Sequence, residues 1–484
     1  MSGKTLSSHL ANQIAGGVWS KRTTGRHQSG RSLRTMVSAA CDKSTSWLVY
    51  ALFLPLAVLN NRTAQRLLLA ALIIDIPLQL GTHLDFQEDA AAVGSLGGFD
   101  VSLTTIALVG LYLSWWTGSL VRADHRLQPP VRISLWPVLY IFFAALSTVV
   151  ARDVRLSWFE LFLLLQMLLL YIYISSNANS RQDVIFIVTV LMLGLVFESL
   201  LMIGTVSVGL AFRIGGYALR IDPGTEFGRI GGTVGSPNVA AGYLSVVMAP
   251  AISLVLTDVK RWYKRLAMVA FGLGVVGLML TGSRGGWVAC AVSMTTVYVF
   301  ASRGRRIWLP VAIAGNFVVI VALLFQDVIL ARGNASVASR LPLISLALHT
   351  IKDHPLLGVG VNNFATVAKD YVSRDFAWRD WFYTVHNKYL LVWAEIGIGG
   401  LLAFLGFFIV TIRRLWQCWK RHDPFLSPLA LGFMAGIVGM MTHMLVDVYR
   451  GRPVNQAFWL IAGLATVMQF SATPAEYTRS STDG

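Results

Sequence analysis

Charge is scarce in this chain. Asp, Glu, Lys and Arg make up 13% of 484 residues, against 55% hydrophobic residues, where an ordinary soluble domain carries about 25% charged residues. Acidic side chains are the scarcest of all, 24 against 40 Lys and Arg, for a formal net charge of +16. Cysteine is nearly missing: the three, Cys41, Cys290 and Cys418, lie far apart with no paired spacing. That excludes a disulfide framework and a cysteine metal cluster. The apolar runs also lack alternating apolar and polar residues, which argues against barrel strands.

What is present is a series of apolar stretches from Trp47 to Phe470, most of them long enough to cross a hydrocarbon core of about 30 Å. Backbone groups within a bilayer must pair internally, so helices are the expected spans. The stretches lie near 47–60, 66–80, 101–121, 133–150, 156–176, 183–211, 236–257, 263–281, 285–301, 307–325, 388–412, 425–447 and 455–471. The first is short for a crossing and is expected to lie in the interface or re-enter, leaving about twelve spans. In Val269–Gly282, the residues Gly272, Gly274, Gly277 and Gly282 suit close helix approach or a clean helix end.

The expected fold is therefore an all-α, polytopic membrane protein. Residues 1–45 are polar and basic, with no continuous apolar core after the early charges of the kind a cleavable signal peptide needs, and are expected to form a disordered cytoplasmic tail. Residues 46–325 carry the first spans, 326–387 one long outer loop, 388–471 the last spans, and 472–484 a polar tail.

Position decides what the cations mean. The connections after 121, 176, 257, 301 and 412 hold Arg122, Arg126, Arg181, Lys260, Arg261, Lys264, Arg265, Arg303, Arg413, Arg414 and Lys420 among others, so they are expected on the cytoplasmic side. The alternate, outward connections use arginine and never lysine when short: Arg152 and Arg155, Arg213, Arg220 and Arg229, Arg284, Arg450 and Arg452. A planar guanidinium grips two phosphate oxygens at once, whereas lysine is a point charge, so the bias points to a phosphate-bearing ligand. The plainer alternative is arginine reaching for headgroups or pairing with loop carboxylates.

Two of these arginines stand in glycine-rich turns that open into apolar helices. In RIGGTVGSPNVAAGYL, Ser236 suits a cap and Pro237 the first helical position; TGSRGGWVA repeats the design around Ser283 and Arg284. Exposed amides at a helix start attract an anion, and a neighbouring guanidinium strengthens the pull. The long connection from Gln326 to Val385 holds helical periodicity through SRLPLISLALHTIKDHPLLGVGVNNF and then Tyr371, Phe376, Trp378, Trp381, Phe382 and Tyr383. It is expected to be a folded outer cap. His386 and Asn387 follow at the mouth of the next span, where a histidine can take a proton from a hydroxyl or simply bond a carbonyl.

Taken in order, RIGGTVGSPN, TGSRGGW, HTIKDHPLLGVGVNNF and HNKYLLVWAEIGIGGLLAF resemble the O-antigen ligase/polymerase family of membrane proteins. That resemblance implies a glycosyltransferase of the inner membrane's outer face, with a polyprenyl-diphosphate-linked glycan as donor and lipid A-core or another glycan as acceptor. It implies no nucleotide sugar and no obligatory metal or other cofactor. It matches Arg229 and Arg284 to the arginines that hold the donor diphosphate, and His386 to the histidine needed for transfer. Arg340, Asn387, Asn238, Ser283, Arg450 and Arg452 rank behind them as diphosphate or acceptor contacts. A transporter is the competing class, resting on Asp75, Glu198, Glu395 and Asp447 within or near spans. These four lack paired broken helices in matching halves and are better read as packing partners for the arginines. A non-enzymatic scaffold is a third class, which leaves the arginine-only turns unexplained.

Overall fold

The computed structural model describes residues 61–121, 131–209, 213–214, 217–218, 228–255, 257, 259–301, 326–372 and 383–471. The expected stretches near 47–60 and 307–325, both tails and the aromatics from Phe376 to Phe382 lie outside the described residues. The chain forms two compact units. One comprises residues 1–61 and 113–128; the other comprises 62–112 and 129–484 and holds every side chain of the candidate site.

The fold is mostly helical. In order come α1 (Arg62–Leu78), β1 (Gly81–Leu84), α2 (Glu88–Ala92), β2 (Phe99–Ser102), α3 (Leu103–Val121), α4 (Leu135–Ser147), α5 (Val154–Asn177) and α6 (Arg181–Val208). Then follow β3 (Arg213–Ile214), β4 (Tyr217–Ala218), α7 (Pro237–Val255), α8 (Arg261–Leu280), α9 (Arg284–Ala301), α10 (Gln326–Asp353), α11 (Phe364–Ala368), α12 (Lys388–Trp419), α13 (Leu426–His443) and α14 (Arg452–Ser471). Among the described residues, α5, α6, α7, α8, α12 and α13 are long and apolar enough to cross a membrane. Their outward faces carry large apolar side chains such as Leu193, Leu200, Met268, Leu402 and Ile409, as lipid-facing helices do.

Polar residues set the helix starts. Asp153 accepts from the amides of Arg155 and Leu156 to cap α5, Ser180 and Asp183 form a reciprocal capping box on α6, and Pro237 opens α7. Helix α13 packs between α7 and α9, α12 against α4 and α13, and α14 against α5. Two small antiparallel pairs, β1 with β2 and β3 with β4, depart from the all-helical expectation. The first exists because Asp75, fully buried at the end of α1, accepts from Leu80 N, Thr104 N and Thr104 Oγ1 and so fixes both flanks of the β1–β2 turn.

The glycines of Val269–Gly282 divide. A side chain at Gly274 would meet Met248 at 2.8 Å and one at Gly277 would meet Ser199 at 3.3 Å, as close packing requires, but one at Gly272 would meet nothing within 4 Å among the described residues. Helix α12 is interrupted at Gly397, whose φ of 77° is outside the helical range. The segment before α11 is stitched into that break. Val359 N donates to Ala394 O (2.9 Å), Gly360 N to Glu395 O (3.0 Å), and Ile398 N donates out to Pro355 O (3.0 Å). The break thus leaves these groups paired, the condition for irregular backbone at membrane depth. The same loop folds on a core of Leu343, Leu346, Ile351, Phe364, Val385 and Leu391.

A Cβ at Gly397 would stand 1.9 Å from Leu356 O. Gly397→Ala is expected to lower stability by about 1–3 kcal/mol or more through overcrowding and strain, read as a fall in Tm in detergent, with Gly272→Ala close to wild type as the control.

Candidate functional site

The two glycine-rich turns meet. Ile230 N donates to Leu280 O (3.1 Å), docking the strand-like run before α7 onto the end of α8. Arg229 follows it inward: Nε donates to Thr281 O (2.9 Å) and Nη2 to Asn238 Oδ1 (2.6 Å). Its aliphatic stem lies over Gly282, where a Cβ would come within 3.2 Å. Arg284, two residues further on, opens α9, and Ser283 caps that helix by accepting from Gly286 N at 3.3 Å. Arg229 and Arg284 therefore belong to adjoining helix ends, both half-buried.

The third side of the site comes from the long loop and the α13–α14 turn. The half-buried guanidinium of Arg340 feels the Asp447 carboxylate and the Arg284 charge, and burial before either lowers its pKa. His386 faces the same pair from the other flank. Burial holds its imidazole below the ordinary 6.5, with Asp447 pulling upward, Arg340 pushing down, and a hydrogen bond involving the Thr384 backbone raising it. Its ring lies 5.3 Å from that of Tyr383. Asp447, 5% exposed, accepts from Val448 N at 2.7 Å. His443 stands beside this cluster, hydrogen-bonded to the hydroxyl of buried Tyr449, and a Cβ at Gly285 would touch its ring at 2.7 Å.

Other candidate positions are spent on architecture. Asn387 caps α12, accepting from Tyr389 N and Leu390 N (both 3.0 Å) and donating to Leu445 O. Asn238 is occupied by Arg229. Arg450, 7% exposed, bridges Glu395 (2.7 Å), Asn362 (2.7 Å) and Thr384 (3.1 Å). Arg452, 2% exposed, pairs with Asp75 at 2.5 Å and Asp100 at 3.4 Å. Expected as ligand contacts, these last two arginines are instead enclosed with carboxylates, because a buried guanidinium requires a counter-charge. Arg152 and Arg155 likewise pair with Asp370 and Asp85 at the surface. The sequence reading missed His443 and Tyr449; the polar run through Val446–Pro453 after α13 was the available signal.

The cluster thus joins two guanidiniums at adjoining helix starts to a cation, a carboxylate and a depressed histidine. It can hold an anion with spread charge and take up a proton beside it. Residues 266–405, which include Arg284, Arg340 and His386, match the family described as O-antigen ligase. That match supports the resemblance of this stretch to the O-antigen ligase/polymerase family. No similar protein was found among curated sequences. The match stops short of Arg229 and Asn238 on one side and of Asp447 on the other, so the family domain shares its site with helices outside it. The matched family is one of ligases or polymerases of the glycosyltransferase type.

With the imidazole depressed by burial, His386 is unprotonated at neutral pH and able to accept a proton until the pH falls through its lowered value. The acid limb of the pH–rate profile for glycan transfer is therefore expected below pH 6.5, and to move further down in Asp447→Asn, which removes the upward pull. A limb at or above 6.5 in wild type contradicts the assignment.

Proposed function

We propose that the protein is an O-antigen ligase, which transfers a glycan from undecaprenyl diphosphate to a hydroxyl of lipid A-core at the periplasmic face of a bacterial inner membrane. The observation that carries this reading is the meeting of Arg229 and Arg284 on adjoining helix ends beside Arg340, Asp447 and His386. The acceptor hydroxyl oxygen attacks the anomeric carbon, and the bond from that carbon to the diphosphate breaks. Undecaprenyl diphosphate leaves with its electron pair, and the hydroxyl proton passes to His386. A single displacement inverts the anomeric centre.

Charge grows on the departing diphosphate, so donors aimed there stabilise the transition state more than the ground state. Arg229 and Arg284, with the first amides of α9, supply that field; Arg340 lies near enough to Arg284 to extend it. Orientation follows from the opposite helix ends, where Lys260, Arg261, Lys264, Arg265, Arg413, Arg414 and Lys420 gather, which supports that side as cytoplasmic. About twelve spans with residues 326–387 as the periplasmic cap complete the proposed topology.

Purified protein given undecaprenyl-diphosphate glycan and lipid A-core is expected to form ligated product without ATP. Arg284→Lys is expected to lower the rate about 10²–10³-fold, since a point charge does not replace a bidentate fork, and His386→Ala about 10²–10⁴-fold. Unchanged transfer in both variants defeats the site. In a deletion strain, lipid-linked polymer accumulating beside bare core supports the ligase; single repeat units on the core assign a polymerase.

A further inference from the structure

At the end of the bundle opposite the arginine turns, the start of α8, the end of α9 and the turn joining α12 to α13 border a cavity of about 520 Å³. Small-ligand sites span roughly 300–1,000 Å³. Helix α8, 20 residues long, runs from this cavity to the arginine turns, a rise of about 30 Å, so the two sites stand a bilayer core apart. The cavity lies at headgroup depth: Trp262 and Tyr263, stacked at 3.7 Å, mark the first turn of α8, and Trp262 is 49% exposed.

Its lining combines both signs of charge. Lys264 lines it half-buried and makes no ion pair among the described residues. His422 stands in the turn beside it. Asp423 is fixed in place because its Oδ1 caps α13, accepting from Phe425 N (2.8 Å) and Leu426 N (2.6 Å). Ser427 donates to Cys418 O (3.2 Å), which leaves its oxygen able to accept. Trp419 and Phe300, their rings 5.5 Å apart, form an aromatic wall.

We infer that this cavity is a phospholipid headgroup site for a headgroup bearing both a phosphate and a primary amine. The phosphate meets the Lys264 ammonium with His422 beside it; the amine meets Asp423, the Ser427 hydroxyl and the Trp419 ring. A purely anionic headgroup satisfies Lys264 but sets a like charge against Asp423. The inference rests on the bundle spanning a bilayer and is independent of the transfer chemistry at the other end.

The test uses the full chain in nanodiscs of mixed phosphatidylethanolamine and phosphatidylglycerol, with retained lipid counted by native mass spectrometry. Phosphatidylethanolamine is expected to be retained in preference, and Lys264→Met to weaken retention about tenfold, the scale of one lost charge-assisted contact, while Lys264→Arg keeps most of it. Transfer activity is expected to be untouched in Lys264→Arg. Equal retention by wild type and Lys264→Met overturns the site. Preference for phosphatidylglycerol overturns the amine assignment. Equal thermal stabilisation of detergent-solubilised protein by inorganic phosphate alone makes it a soluble-anion site and overturns the lipid. Competition between the two lipids in wild-type protein decides the matter even where Lys264→Met fails to fold.

Discussion

The buried ion pair between Arg450 and Glu395 holds the site together. Three segments converge on it: the broken helix α12 through Glu395, the turn before α14 through Arg450, and the loop through Asn362 and Thr384, both bonded to the same guanidinium. Glu395 also accepts from Phe364 N at 3.1 Å. Charges enclosed this far from water need a counter-charge and hydrogen bonds, and here these come from different parts of the chain. The pair fixes where residues 383–386 leave the loop, and hence where His386 stands.

A second buried pair, Arg452 with Asp75, does comparable work between the first helix and the last. Together the two pairs give the carboxylates at these positions a structural use. Of the four carboxylates singled out in the sequence, Asp75 and Glu395 hold arginines, Glu198 accepts from Thr233 N in the turn that follows Arg229, and Asp447 lies in the cluster with Arg340 and His386.

Much of this was legible before any coordinates. The helix starts at Pro237 and beside Ser283 announce themselves by local chemistry, which acts over three or four residues. The arginine turns announce themselves because glycine, serine and arginine seldom interrupt apolar runs without reason. The long-range matches were not legible. Glu395 and Arg450 are 55 residues apart, and no local rule pairs them, so Arg450 looked like a ligand contact. The break at Gly397 was hidden because IGIGG reads equally well as small residues for helix packing. Gly272 failed in the opposite sense, offering a packing glycine where none of the described residues comes within 4 Å.

The stitched break in α12 ties down the loop segment that enters it. Peeling residues 355–360 away strips the carbonyls of Ala394 and Glu395 and the amide of Ile398 of their partners, a penalty of several kcal/mol in hydrocarbon surroundings. That stretch is consequently a fixed wall and not a flap.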